Sequence, residues 1–443
     1  MQAQAEMQAE TVWPAEIQAT EKIVRWRTGT RIVFRFVFVY FILYSFPFPL
    51  GWFHYTGYPA QKWTQLEKIV VPWVGKHLLH LSHDITVFPN GSGDTTYNYV
   101  EVLCFLAVAL FATVIWSLLD RRRPNYEKLQ QWLILYVRLV LATTMISYGS
   151  VKVIQGQFPT PNLARLLQPY GDSSPMGLLW TFMGASKSYT FFAGAVEMLG
   201  GILLFVPRLT ILGALVSLGA MSNIFMLNMS YDVPVKLYSL NLLLMSLLLL
   251  APELRRMANF FLFNRRVEPA VRPPLFKRKW MNHGILAFQL LMGVYGISWD
   301  LYSVGKSAKT YGDNAPKPAL YGVWAVDEFA IDGQVRPPLA TDETRWNQVL
   351  FDRFDFSIMS VNGSRRRFRP QLDLDKKTLI LAKREDPGSK SNFTVERSDP
   401  AHVTLEGQLD GHTIKAQLHQ GEERKFLLQN RGFHWINEYP FNR

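Results

Sequence analysis

The residues able to do chemistry in this chain lie inside its most apolar stretches. Arg138, Met145 and Lys152 recur every seven residues, so on a helix they fall near one stripe. Glu197 shares a face with Gly194 and Gly201, small residues that let a neighbouring helix come close. Asn223 and Asn228 close one apolar run, Tyr231-Asp-Val-Pro-Val-Lys236 opens the next, and Asn241 follows. Asp232 suits an N-cap and Pro234 a first helical turn. With Tyr148 these side chains define a candidate polar cavity of Arg138, Tyr148, Lys152, Glu197, Asn223, Asn228, Asp232, Lys236 and Asn241, with Glu101 toward the same end. A charge at bilayer depth costs about 2.5–3.5 kcal/mol on insertion scales, so Arg138 and Glu197 are expected to pair or to face water. Two readings stay open. In one the cavity binds a quinone or lipid-like ligand, with a desolvated lysine as base or as anchor for an anionic head group. In the other the outer lysines and Glu101 snorkel to the boundary and the deep pair is structural.

Two weaker constellations lie upstream. His77, His80 and His83, followed by Asp84 and preceded by His54, place four of the nine histidines in one loop, which makes a metal or haem site conceivable. Steps of three rotate the trio around a helix, so no single face holds all of them, and the expectation is an interfacial polar edge rather than a metal site. Asn90-Gly-Ser-Gly-Asp-Thr-Thr is a glycine-rich turn whose amides could hold an anion, but it lacks the lysine and spacing of a P-loop. Cys104 is the only cysteine, which excludes internal disulfides and multi-cysteine metal sites.

The elements that must position these residues are seven apolar segments, approximately Ile32 to Leu50, Tyr99 to Leu119, Trp132 to Ser150, Tyr189 to Phe205, Leu209 to Met229, Val235 to Leu250 and Met281 to Ser298. Each is near the ~20 residues that cross a hydrocarbon core as a helix, the sixth being short. Arg121, Arg122, Arg123 and Lys128 follow the second segment. Arg255, Arg256, Arg265, Arg266, Arg272, Lys277, Arg278 and Lys279 separate the sixth from the seventh. With Lys22, Arg25, Arg27 and Arg31 ahead of the first, one alternating path keeps every basic cluster cytoplasmic and leaves the carboxyl end outside. The expected location is the plasma (inner) membrane. Composition agrees, at 49% apolar, 14% aromatic and 19% charged. The near-zero mean hydropathy averages a membrane half against a polar tail. The net charge of +12 belongs to orientation and anionic lipid rather than to nucleic acid, because the basic clusters abut the apolar segments. In the first outer loop Trp63, Leu66, Val70, Trp73, Leu78 and Leu81 approximate helical spacing and predict a helix along the bilayer surface, or packed over the bundle mouth, despite Pro72.

A resemblance follows from ordered blocks: Tyr148-Gly-Ser-Val-Lys-Val-Ile-Gln-Gly-Gln-Phe-Pro159, Pro169-Tyr-Gly-Asp-Ser-Ser-Pro-Met176, Phe182-Met-Gly184, Glu197-Met-Leu-Gly-Gly201, Asn228-Met-Ser-Tyr-Asp-Val-Pro-Val-Lys236 and Ala251-Pro-Glu-Leu. Over approximately Trp132 to Phe263 the chain resembles the DoxX-like family of polytopic membrane proteins. The resemblance implies a four-helix membrane core and a link to membrane redox chemistry with quinones or redox partners. The chain departs from it by three further helices and by offering no CxxC pair, Fe–S ligand set or flavin fingerprint.

Beyond the seventh segment the period changes from helical to alternating. Phe351 to Ser360, Arg366 to Leu374, Thr378 to Lys383, Asn392 to Ser398, His402 to Leu409, His412 to His419 and Lys425 to Gln429 read as strands broken by Asn362-Gly, Asp386-Pro-Gly and Asp410-Gly turns. The expected fold class is therefore a membrane all-α bundle of about seven transmembrane helices, with a DoxX-like four-helix core, plus a carboxyl-terminal all-β antiparallel barrel or sandwich. Gly322-Val-Trp324 resembles the Gly-x-Trp opening of lipocalin-like barrels, with Arg431 placed to lie across that Trp. Such a barrel either holds a lipid or is filled by its own side chains and serves for docking. The domain reading is 1–31 cytoplasmic, 32–130 two helices with an outer loop, 131–265 the four-helix core, 266–300 a basic loop and seventh helix, and 301–443 an extracytoplasmic β domain. Three functions fit: a membrane redox component binding a quinone, a non-catalytic lipid-binding or transport protein, or a scaffold recruiting a redox or other protein partner at the extracytoplasmic face.

Overall fold

The computed structural model describes residues 25–50, 57–85, 87, 90–269, 273–384, 386, 388–420 and 426–442. Lys22, His54, Arg272 and Lys425, named above, lie outside them, as does Pro387 of the Asp386-Pro-Gly turn. The helices are α1 (Thr28–Ser45), α2 (Gly57–His77), α3 (Thr96–Leu119), α4 (Glu127–Val153), α5 (Leu163–Leu166), α6 (Pro175–Ala185), α7 (Lys187–Phe205), α8 (Thr210–Ser230), α9 (Lys236–Leu250), α10 (Leu254–Phe261), α11 (Lys279–Tyr311) and α12 (Leu427–Asn430). Among the described residues, seven helical spans are long and apolar enough to cross a membrane, and they coincide with the seven segments read from sequence. The short α9 is lengthened by a 3-10 turn and α10, so its span reaches Phe261. The chain divides into two compact units, Met1–Val140 with Leu254–Gly284, and Leu141–Glu253 with Ile285–Arg443.

In the first unit the basic segments gather. Arg31 Nη1 donates to the carbonyls of Arg121 (3.1 Å) and Arg123 (2.8 Å), the Trp26 amide to Pro124 O (2.9 Å), and Lys128 Nζ to Pro274 O and Leu275 O. Arg35 of α1 is 3% exposed. Its guanidinium donates to the Tyr126 hydroxyl, to Ser117 Oγ and to Asp120 O, while Tyr126 Oη donates to Asp120 Oδ2. A buried guanidinium with every direction answered by oxygen is how an arginine survives in an apolar bundle. The outer side chains of α3, Leu103, Leu106, Val108, Leu110, Phe111, Val114, Leu118 and Leu119, are exposed. So wide an apolar surface suits hydrocarbon as solvent.

The segment between α1 and α3 departs from expectation at two points. Helix α2 stops at His77, so Leu78, His80, Leu81 and His83 follow it rather than extend its face. Its predicted stripe forms, with Leu66, Val70 and Trp73 exposed and joined by Ile69. The Asn90–Thr95 turn keeps its amides for itself: Asn90 Oδ1 accepts from Ser92 N, Ser92 Oγ accepts from Asp94 N, and Thr95 and Asn98 form a capping box for α3. Those local bonds occupy the Ser92 and Asp94 amides.

In the second unit α4, α7, α8 and α9 pack through small residues. A Cβ on Gly149 would lie 2.6 Å from Gly194 O, one on Gly201 2.7 Å from Ala142 O, and one on Gly213 2.9 Å from Leu204 N. The backbones therefore touch where side chains would hold them apart. Nine strands follow: β1 (Gly322–Ile331), β2 (Gln334–Val335), β3 (Trp346–Phe351), β4 (Phe356–Ser360), β5 (Arg365–Asp373), β6 (Thr378–Lys383), β7 (Lys390–Asp399), β8 (His402–Leu409) and β9 (His412–Gln420). All neighbours are antiparallel, and β9 pairs with β1 from Trp324↔Gln420 to Ile331↔Ile414, closing an eight-stranded up-and-down barrel on which β2 is a short flap. The expected strand from Phe351 to Ser360 is the end of β3, a turn and β4. Closure leaves no free edge for a strand at Lys425 to Gln429, and Leu427–Asn430 is helical instead.

The barrel interior is filled by its own side chains, among them Trp324, Phe329, Trp346, Phe351, Phe356, Phe368 and Phe393. This decides for the packed alternative over a lipid-holding cavity. Trp324 Nε1 donates to Leu320 O at 2.8 Å, fixing the Gly-x-Trp turn. Arg431 does not lie over it; its guanidinium stacks on Phe441 and donates to Asn437 Oδ1. The arginine built into the barrel is Arg345, 2% exposed, over the Phe329 ring and bonded to the carbonyls of Arg336, Trp346, Val326 and Asp327. The segment after α4 is latched to the barrel, where Leu163 N donates to Asp352 Oδ2 (2.8 Å) and Arg365 Nη1 to Ala164 O (2.9 Å), to α12, where Gln429 Nε2 donates to Pro161 O (3.0 Å), and to the link between α11 and β1, where Thr160 N donates to Asp313 Oδ1 (3.0 Å).

On α2, burial and the nearby Glu101 charge push the Glu67 carboxyl up to about 7 from its ordinary 4.5. A raised carboxyl pKa means that folding favours the proton. Its contribution is full below pH 4.5 and fades as pH rises to about 7. The melting temperature of wild type should therefore fall, relative to Glu67→Gln, over that window; parallel curves for the two proteins would remove Glu67 as the cause.

Candidate functional site

The site is built by the contact between α4 and α7. Gly149 faces Gly194 backbone to backbone, and one turn onward on each helix stand Lys152 and Glu197. Lys152 Nζ donates to Glu197 Oε2 at 2.8 Å, with side chains only 7% and 3% exposed. The same ammonium reaches Tyr148 O at 3.4 Å and lies 5.6 Å from the centre of the Tyr148 ring. Tyr148 meets Tyr238 of α9 at 5.9 Å between ring centres. Ser150 Oγ lies 3.8 Å from Met198 Sδ below the pair. The deep carboxylate is thus met by Lys152 and not by Arg138 as expected. The glycine contact sets the register of two antiparallel helices: Gly194 lies against Gly149 O and the Lys152 Cβ, and Gly149 lies against Met198, next to Glu197 in the chain. Arg138 is 5% exposed on the half of α4 that belongs to the first unit.

The remaining predicted residues divide into internal staples and surface groups. Asn228 Nδ2 donates to Ser239 Oγ at 3.0 Å, tying α8 to α9, and Asn241 Nδ2 donates to Leu237 O at 2.9 Å. Both asparagines are buried. Asn223 is exposed on α8. Asp232 does not cap α9: it sits at φ +51° in the preceding turn with its side chain 85% exposed, and the N-cap position is Val235. Pro234 disfavours helix at the residue before it, which delays the helix start. Asp232 instead pairs with Lys236 Nζ at 2.9 Å, a surface i,i+4 bridge. Glu101 belongs to the first unit, on α3. His77, His80 and His83 are exposed, and no group of three or more potential metal ligands occurs among the described residues.

Two features missed from sequence lie between α11 and the chain of α4 and its continuation. Asp300 of α11 accepts Ser147 Oγ at 2.6 Å. The seventh helix was expected to end at Ser298, whereas α11 continues to Tyr311, so its acidic residue sits within the helix. That continuation also makes a cleft of about 320 Å³, with Val151, Gly156 and Pro159 on one wall and Ser303, Val304, Ser307, Ala308, Tyr311 and Gly312 on the other. The cleft follows directly in the chain from Lys152. Its walls are apolar with hydroxyls at Ser303, Ser307 and Tyr311, and Tyr311 meets Phe354 of the barrel at 6.4 Å.

Over 143 residues the chain is 34% identical to the uncharacterized protein YwoB of Bacillus subtilis (strain 168), a match that takes in 32% of this chain and 87% of YwoB. No family model matches the chain, and no solved structure does.

Removing one member of a buried ion pair leaves the other charge uncompensated, at a cost of about 3–5 kcal/mol, whereas replacing both by apolar residues is close to neutral. Lys152→Met should therefore destabilise the protein strongly in detergent unfolding, and Lys152→Met combined with Glu197→Leu should recover most of the loss. Additive losses would show that the two side chains do not act as a pair.

Proposed function

Since the chain belongs to the family of Bacillus subtilis YwoB, whose name assigns no activity, we propose a function from the site itself. The protein is an integral membrane protein of DoxX-like type that binds a quinone or another lipid-like amphiphile in the cleft between the end of α4 and α11. The observation that carries this reading is the cleft of about 320 Å³ at the end of the helix that bears the buried Lys152–Glu197 pair. That volume falls within the range of ligand pockets, and an apolar wall with a few hydroxyls suits a ring or chain carrying carbonyl or ester oxygens. A quinone there is the ligand that the DoxX-like resemblance implies, and the chain then serves as a component of a membrane redox system. A phospholipid there makes it a lipid-binding protein.

The same reading places the protein in the plasma (inner) membrane with its amino terminus in the cytoplasm. The clustering of Arg31, the Arg121–Lys128 loop and the Pro274–Leu275 segment supports one cytoplasmic face. If α4 spans the bilayer, the segment that follows it, and the barrel latched to that segment, lie on the extracytoplasmic side. The packed barrel is then a docking module for a redox or other protein partner rather than a second ligand pocket.

Purification in mild detergent followed by mass spectrometry of retained small molecules tests the reading. Wild type should retain a quinone or a phospholipid at close to one per chain, and Ser307→Trp, which fills the cleft, should release it while expression persists. Retention by Ser307→Trp equal to wild type would move the ligand elsewhere.

A further inference from the structure

Where the barrel meets the segment between α4 and α7, arginines outnumber the carboxylates that could neutralise them. Phe368 of β5 faces the barrel core, so Arg365 and Arg367 share the outer face of that strand. Arg365 Nη1 donates to Ala164 O at 2.9 Å, which brings β5 against the residue next to Arg165. Arg165 Nη1 donates to the neutral Gln168 Oε1 at 2.7 Å. Among the described residues neither Arg165 nor Arg365 meets a carboxylate. Asp355 is shared between Arg367 (3.1 Å) and Arg384 (2.7 Å), and Asp352 is occupied by the amides of Leu163 and Arg353. Arg367 Nε is buried without a hydrogen-bond partner among the described residues.

A further positive element comes from a helix. The Arg165 guanidinium lies against the first turn of α6, where a Cβ on Gly177 would be 2.9 Å from Arg165 Nη2. The eleven-residue α6 presents the positive end of its dipole there, an arrangement that disfavours a cation and favours an anion beside it. Burial, then the charges of Arg367 and Arg165, hold the Arg365 guanidinium below its usual pKa, against the smaller opposing pull of Asp355. An anion set among these groups would answer each of these features.

We propose that Arg165, Arg365 and Arg367, with the amino end of α6, form a binding site for a phosphate group, carried by an anionic phospholipid head group. Guanidinium forks match phosphate oxygens in geometry as well as charge. The site lies on the segment joining two membrane-length helices, the level at which head groups lie. A lipid held there would brace the latch between barrel and helices by supplying the negative charge that the protein lacks at that point.

Native mass spectrometry of the full chain, with phosphatidylglycerol or phosphatidylcholine offered in parallel, tests the site, alongside melting in inorganic phosphate against chloride of equal ionic strength. Wild type should retain phosphatidylglycerol in preference to phosphatidylcholine. Arg165→Gln and Arg367→Gln should each weaken that retention about tenfold or more, while Arg397→Gln on β7 leaves it unchanged. Stabilisation by inorganic phosphate as well would assign recognition to the phosphate alone, and its absence would assign the whole head group. The phosphate arm uses wild type, so it reads out even if a variant fails to fold. Equal retention of both lipids with no phosphate effect, or arginine variants that retain phosphatidylglycerol like wild type, would overturn the proposal.

Discussion

The membrane half of this protein depends on a contact without side chains. Gly149 and Gly194 let two helix backbones touch, and the touch carries Lys152 and Glu197 into hydrogen-bonding distance in a region closed to water. A residue as small as alanine at either position would set its Cβ within 2.7 Å of the facing helix. The dependence also runs the other way. A lysine and a glutamate buried alone would each be intolerable there, and only their mutual approach makes the packed arrangement accessible. Because apolar replacements of such a pair are commonly as stable or more so, its presence is better understood as setting helix register or serving a ligand than as a source of stability.

Around that contact, polar groups close on one another. Asn228 holds Ser239, Asn241 holds the carbonyl of Leu237, Asp300 holds Ser147, and in the other unit Arg35 is enclosed by oxygen from Tyr126, Ser117 and Asp120. In a medium that cannot hydrogen-bond, such closure is required. Beyond Lys152 lies a cleft in which apolar walls and hydroxyls come together, and its Tyr311 meets Phe354 of the barrel. The barrel follows a different rule: it removes its edges by closure and fills its interior by aromatic packing, and it is fixed to the segment after α4 by Asp352 and Arg365.

Helix existence was legible because a run of some twenty apolar residues has few other uses; β8 was legible to the residue from its alternation, and β6 from a short run rich in Leu and Ile. Strand β1 was seen only at its Gly322-Val-Trp324 opening. A register shift between Val326 and Glu328 interrupts its period of two, so the pattern rule fails at a bulge. Of the candidate site, Lys152 and Glu197 were identified but not as each other's partner, because sequence spacing gives the face of one helix and says nothing of the offset between two. Asp232 misled because cap chemistry was present while Pro234 moved the helix start onward. Arg345 and the Arg165–Arg365–Arg367 group were illegible, since their meaning lies in what strand closure and docking bring beside them.

The pairing of Lys152 with Glu197 is most directly tested by a membrane-permeant carbodiimide, which joins an amine to a carboxylate without adding a spacer. Dicyclohexylcarbodiimide applied to the protein in membranes, followed by digestion and mass spectrometry, should yield a peptide pair linked through Lys152 and Glu197, absent from Glu197→Gln. Recovery of Glu197 joined to a different lysine, or only as an unlinked adduct while Lys152 remains free, would contradict the helix register on which the account rests.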